Sequence, residues 1–175
     1  VAGEDWMPTL LAAAGDSTIK EKLLKGHKAG DKTFKVHLDG YNQMDYLSGK
    51  SNKSARDEFF YFSDDGDLLA LRYQRMKIHF MVQEATGIDV WRHPFTTLRG
   101  PIFFDLEVDP FERGQEGMGY NDWWYRRSYM AVPVQNIVGQ TLMTFKDFPP
   151  RQKPASFTID QAMEALTRST APGNK

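Results

Sequence analysis

The sequence predicts an α+β fold, a small antiparallel sheet of about four strands with helices packed on one face and at both ends. Three observations carry this. Apolar runs at 59–62 and 68–82 flank Asp64-Asp65-Gly66-Asp67, a hairpin signature because an Asp-Gly turn supplies positive φ. A further apolar run, Ile102-Phe103-Phe104-Asp105-Leu106, reads as a strand. Val134, Ile137, Val138, Leu142 and Phe145 form one stripe of a helix over 133–145.

Taken in order, residues 5–14 read as a helix. Pro8 is tolerated in its first turn and Gly15 suits the position after its end. Trp6, Leu10, Leu11 and Ala14 fall on one side of it. Residues 16–33 are polar and lysine-rich, and read as a solvated connection with one helical turn near Leu23-Leu24. Phe34-Lys35-Val36-His37-Leu38 alternates as a short strand ended by Asp39-Gly40. Tyr41, Met44 and Leu47 are spaced for a helix, and 49–56 is a polar loop.

In the long arm of the hairpin, Leu69, Leu71 and Tyr73 share one face, and Ala70, Arg72 and Gln74 the other. A second turn near Gln74-Arg75 makes a meander with Ile78, Phe80 and Val82 in its third strand. Residues 83–100 read as a long Gly- and Pro-containing connection. Asp109-Pro110 closes the next strand, because a residue before proline avoids the helical region. Residues 112–122 are polar and Gly-rich. After Pro149-Pro150, Thr158-x-x-Gln161 is a capping-box pattern opening a last short helix, with 169–175 a disordered end.

Composition narrows the function. The 175 residues carry 22 Lys+Arg, 23 Asp+Glu and no cysteine. A net charge of −1 supplies no basic field for nucleic acid. Without cysteine there is no disulfide, zinc–thiolate site or thiol nucleophile. No run approaches the ~20 apolar residues of a membrane span, and residues 1–20 lack an export-signal pattern. The start at Val1, almost directly in a helix, reads as an excised segment of something longer. Asn52-Lys53-Ser54 fits a glycosylation acceptor, a short motif that also arises by chance.

The residues show no complete catalytic constellation. His27, His37, His79 and His93 stand in no metal-binding spacing and read as surface or half-buried side chains, with His79 facing away from Ile78 and Phe80. Asp64–Asp67 lacks the remaining ligands of a calcium loop. There is no Gly-x-Ser-x-Gly, no P-loop and no dinucleotide fingerprint. Trp123-Trp124-Tyr125 beside Arg126-Arg127 fits a packed helix entry better than a ligand platform. Trp91-Arg92-His93-Pro94-Phe95 lies in a long loop, where Arg92 and His93 are the candidates for meeting an anion; a packed loop with one solvated charge is the other reading.

Several segments go further. Asp5-Trp6-Met7-Pro8-Thr9-Leu10 through Gly15 resembles the D-x-x-P-T-L-x-x-x-A-G helix of sulfatases. Leu38-Asp39-Gly40 with Tyr46-Leu47-Ser48-Gly49 is similar to the following L-D-G … L-x-G segment. Phe60-Tyr61-Phe62 through Ala70-Leu71-Arg72-Tyr73 and Met76-Lys77 resembles the A-x-R-x-x-x-W-K hairpin, with Met76 where Trp is usual. Phe103 to Glu112 resembles L-F-N-L-x-x-D-P-x-E, and Phe148-Pro149-Pro150-Arg151-Gln152 with Pro154-Ala155-Ser156-Phe157 resembles the tail of bacterial arylsulfatases. These matches are in order and span nearly the whole chain.

The resemblance implies the C-terminal portion of a formylglycine-dependent, alkaline-phosphatase-like sulfatase: 1–57 as the tail of the large catalytic domain, 58–175 as the small sheet domain. It implies that calcium and formylglycine belong to an N-terminal part outside this sequence. With no cysteine and no Ser-x-Pro-x-Arg, no catalytic or metal residue of the family maps here, so this chain alone is expected to be inactive. The implied partner is the catalytic domain, in cis or as a separate chain, with a homo-oligomer as a further option. The compartment stays open between periplasm and cytoplasm. Arg92 and His93 become candidates for leaving-group contact. The alternative is a stand-alone interaction or oligomerisation module derived from a sulfatase end. A detached segment is expected to expose apolar surface at Trp6, Leu10 and Leu11.

Overall fold

A computed structural model describes residues 1–151 and Ser156. The last short helix, the 169–175 end and most of the tail resemblance lie outside the described residues. The elements run α1 (Trp6–Ala13), α2 (Ile19–Lys25), β1 (His27–Ala29), β2 (Lys32–Phe34), α3 (Met44–Leu47), β3 (Glu58–Phe62), β4 (Leu68–Tyr73), β5 (Met76–Val82), β6 (Thr96–Asp105), α4 (Tyr120–Tyr125) and α5 (Ala131–Asp147). The mixed α+β class is as expected.

The main sheet is an antiparallel meander in the order β3-β4-β5-β6. Phe60 pairs with Leu71, Leu71 with Ile78, and Ile78 with Phe103. Directly opposed residues point to the same side, so these four make one apolar strip. Val134 of α5 closes the core over Leu71, Ile78 and Phe103, with Ile137, Val138, Trp123, Trp124 and Met130 around it. The opposite face carries Tyr61, Ala70, Lys77, His79, Ile102 and Phe104 in register. Gln74 in the β4–β5 turn has φ 52°, as a two-residue hairpin loop requires.

The pairing of β5 with β6 shifts between His79 and Met81, and Gly100-Pro101 falls in this irregular stretch. Proline has no N–H for the ladder and tolerates such a place. Its carbonyl accepts the Trp124 indole N–H at 2.8 Å, which seats α4 on the sheet. The Tyr120 hydroxyl accepts from the Phe103 N–H at 3.1 Å and donates to the Phe103 carbonyl at 2.9 Å.

Four expectations are corrected. Residues 16–33 are no bare connection: Ile19 and Leu23 bury one side of α2, and β1 and β2 form a hairpin over Gly30-Asp31, with Gly30 at φ 61°. The strand placed at 34–38 ends at Phe34, because its partner is the three-residue β1. The first half of β6 takes residues 96–100 from the supposed long connection. Finally, the apolar side of α1 is not its buried side. Asp5, Pro8 and Thr9 face inward, while Trp6 is 50% and Leu10 61% exposed.

The reason is a polar network that draws α1 in by its other face. Asp5 is wholly buried. Its carboxylate accepts from Arg56 Nε and Nη2, from the Tyr41 N–H at 2.8 Å, from the Ala2 N–H at 2.8 Å and from Gln43 Nε2 at 3.2 Å. Thr9 donates to the Asp5 carbonyl and accepts from the Gln43 N–H. Gln43 Oε1 takes Ser54 and Ala55 at 3.0 Å. Gly40 packs so closely that a Cβ there would lie 2.0 Å from the Glu4 carbonyl oxygen, so only glycine fits. Its carbonyl accepts Lys20 Nζ at 2.7 Å.

Burial alone would raise the Asp5 pKa, but Arg56 and the backbone donors outweigh it and hold it well below the usual carboxylate range. Replacing Arg56 with Ala leaves that charge buried and unpaired, and should cost about 3 kcal/mol or more in urea unfolding. The unfolded chain takes up the Asp5 proton first as pH falls. The contribution of Asp5 is therefore complete above its unfolded pKa of about 4 and is lost below it. Asp5→Asn should flatten that acid slope; an unchanged slope would show that Asp5 is not its source.

Candidate functional site

The sheet face opposite α5 holds a groove of about 310 Å³. Its floor comes from β4, β5 and β6, and its charged wall from Lys77, His79 and Glu112. The strand period places Lys77 and His79 on one face, two residues apart. Glu112 reaches them from the loop after β6, in the left-handed conformation at φ 56°, which is uncommon for a non-glycine residue. Lys77 Nζ donates to Glu112 Oε1 and His79 Nε2 to Glu112 Oε2, each at 2.6 Å. A carboxylate only accepts, so the His79 proton sits on Nε2. The Tyr61 ring lies 4.7 Å from Lys77 Nζ, and Phe104 meets the imidazole edge-on at 5.4 Å.

Burial pushes the His79 pKa down; the Glu112 carboxylate works against this, and Lys77 adds to it. The cluster is therefore a half-buried cation, a polar imidazole and a shared carboxylate between two rings. It can clasp the loop and present mixed donors and acceptors to a polar group entering the groove. It lacks an activated nucleophile. Among the described residues no group of three His, Asp or Glu side chains could hold a metal ion.

Arg92 and His93 sit elsewhere. They follow a 3-10 turn at Gly87–Trp91 and are exposed. Arg92 pairs with Asp89. Gln83, at the groove, donates to the His93 carbonyl at 2.9 Å. Phe95 enters the groove lining, but Arg92 and His93 do not. The structure thus ties their turn to one end of the groove without bringing their side chains into it.

The reading of His79 as half-buried and facing away from Ile78 agrees with its place here. Its partner was missed. Glu112 stood only as a motif position in a polar loop, and no local pattern tells that it turns back across 33 residues. The Asp64–Asp67 stretch is a hairpin turn, with the Asp65 and Asp67 N–H groups donating to Ser63 Oγ.

Glu112→Gln should lower the His79 titration midpoint followed by imidazole NMR, because the opposing negative charge is gone. Glu112→Ala should cost about 1.5–3 kcal/mol, the range for hydrogen bonds to charged groups. A His79 midpoint unmoved in Glu112→Gln would show that the contact is absent in solution.

No family model matches the chain, and no curated protein matches it. Among solved structures it is similar to the crystal structure of PsFucS1 sulfatase from Pseudoalteromonas sp., at 26% identity and a TM-score of 0.47. The likeness covers 65% of this chain and 22% of that one, so the chain spans about a fifth of that sulfatase's length.

Proposed function

We propose that this chain is the C-terminal part of an arylsulfatase-like sulfuric ester hydrolase. In this reading 1–57 ends the catalytic domain, and 58–175 is a small sheet domain that packs on it and helps wall the substrate cleft. Calcium and a formylglycine nucleophile would be supplied by the N-terminal part of the parent. One observation carries the reading. Residues of the motifs, matched in order along the sequence, take part in the bonds that hold distant segments together. Asp5 and Thr9 of the first motif meet the segment opened by Gly40 of the second through Tyr41 and Gln43. Lys77 of the hairpin motif grips Glu112 of the D-P-x-E motif. Chance matches would have no reason to fall on the positions that join segments far apart in the sequence.

The exposed Trp6 and Leu10, as expected, and Met7 beside them also support it, whereas Leu11, expected with them, is half-buried. An apolar helix side of this kind is normally covered, and the catalytic domain is the cover this reading supplies. The same surface suits the second reading, a stand-alone interaction module, and the two separate on one measurement. The natural product from the source organism should have a mass of about 55–60 kDa, a catalytic domain plus this one, and should release sulfate from aryl or sugar sulfate esters. A natural product near 20 kDa with no sulfatase activity would favour the module.

Arg92 and His93 are proposed to contact the leaving group of the ester in the complete enzyme. Changing both to Ala should raise KM about tenfold for substrates with a polar or anionic leaving group and leave kcat little changed. Identical kinetics across several substrates would remove them from the site.

A further inference from the structure

α5 buries one side on the sheet and leaves the other open. Val132, Asn136, Gly139 and Met143 follow each other at spacings of four, three and four, so they line one outward seam. Val132 is 63% and Met143 62% exposed, and Tyr129, one turn before, is 70% exposed. From Ser128 to Phe145 the sequence contains no charged residue. A helix side facing water normally carries charges. Gly139 is a poor helix former, yet it sits mid-helix; a Cβ there would meet nothing within 4 Å. It leaves a notch where another helix could come close.

We propose that this seam is a two-fold contact between two copies of the chain, with the α5 helices antiparallel. The residues fit such self-pairing. Centred between 137 and 138, the register sets Val132 against Met143 and the Asn136 amide against the Gly139 notch. A two-fold contact presents the same patch from both sides, and a patch without charge meets itself without repulsion. The charges lie just beyond its ends, Arg126 and Arg127 before and Lys146 and Asp147 after. Antiparallel pairing brings the Asp147 end of one copy to the arginine end of the other and opposes the helix dipoles favourably. Arg126 is paired with Asp122, whereas Arg127 lies over the Trp123 ring and gives only Nη1 to the Trp123 carbonyl, so its other guanidinium N–H groups are open to Asp147 of the second copy. The α1 surface given to a catalytic domain above, Trp6, Met7 and Leu10, shares no residue with this seam. The proposal therefore does not depend on the sulfatase reading.

Sedimentation velocity of the 175-residue chain from ~1 to ~200 µM, the range of a weak to moderate contact, tests it. A dimer is expected. Val132→Glu with Met143→Glu should weaken it at least about tenfold, with the circular dichroism spectrum and melting curve retained because both side chains are exposed. Trp6→Ser with Leu10→Ser should leave it intact. The chain has no cysteine of its own, so Val132→Cys with Met143→Cys should give a disulfide-linked dimer on oxidation, and Met143→Cys alone should not. A wild type monomeric throughout, a dimer that survives both glutamates, or one lost with the Trp6 and Leu10 changes alone would overturn the proposal.

Discussion

The wholly buried Asp5 carboxylate and the guanidinium of Arg56 are the constraint on which the arrangement of this chain depends. A charge taken out of water must be met by opposite charge and by donors aimed at its oxygens. Here those donors come from Ala2 ahead of α1, from the Tyr41 backbone, from Gln43 and from Arg56, two residues before β3. The requirement fixes where each segment must lie. It also decides which side of α1 turns inward, against the apolar preference of its sequence. Tyr41 adds to the same corner. Its hydroxyl bonds Glu58 at the start of β3, and burial together with that carboxylate pushes its pKa up to about 12, keeping it a neutral donor.

Two kinds of glue thus hold the molecule. The sheet and α5 are joined by apolar contact, which is non-directional and tolerant of exchange among side chains of similar volume. The N-terminal segments are joined by directional bonds among a few polar groups, which tolerate very little. The Lys77–Glu112–His79 cluster repeats the second principle on the open face, where one carboxylate fixes a loop of otherwise irregular shape. The division suits a chain with long irregular segments, because these are the parts that apolar packing alone would leave loose.

The legible parts of the fold were those governed by local rules. The meander followed from alternation and from an Asp-Gly turn, and α5 from its stripe. The β1–β2 hairpin went unread because Lys28, Lys32 and Thr33 offer no buried face to make an alternating pattern; the two-residue Gly30-Asp31 loop was the available signal. α2 was read as only one turn because only Ile19 and Leu23 are buried in a lysine-rich helix. The inward side of α1 could not be read at all from apolar spacing, since it is set by an ion pair between residues 51 apart. At the groove, strand periodicity gave the direction of His79, but not its partner. Arg92 and His93 were legible as exposed loop residues, and their link to the groove through Gln83 was not.

Tyr120 closes one more matter. β6 is the last strand of its sheet, and a last strand offers unpaired amide and carbonyl groups to any extended chain that meets it. At Phe103, in the middle of an apolar run, one phenol hydroxyl occupies both groups at once. A single side chain thereby closes one position of the open edge. An extended chain that met this edge would find the middle of its apolar run already taken, by an aromatic ring that contributes nothing to the strand order itself.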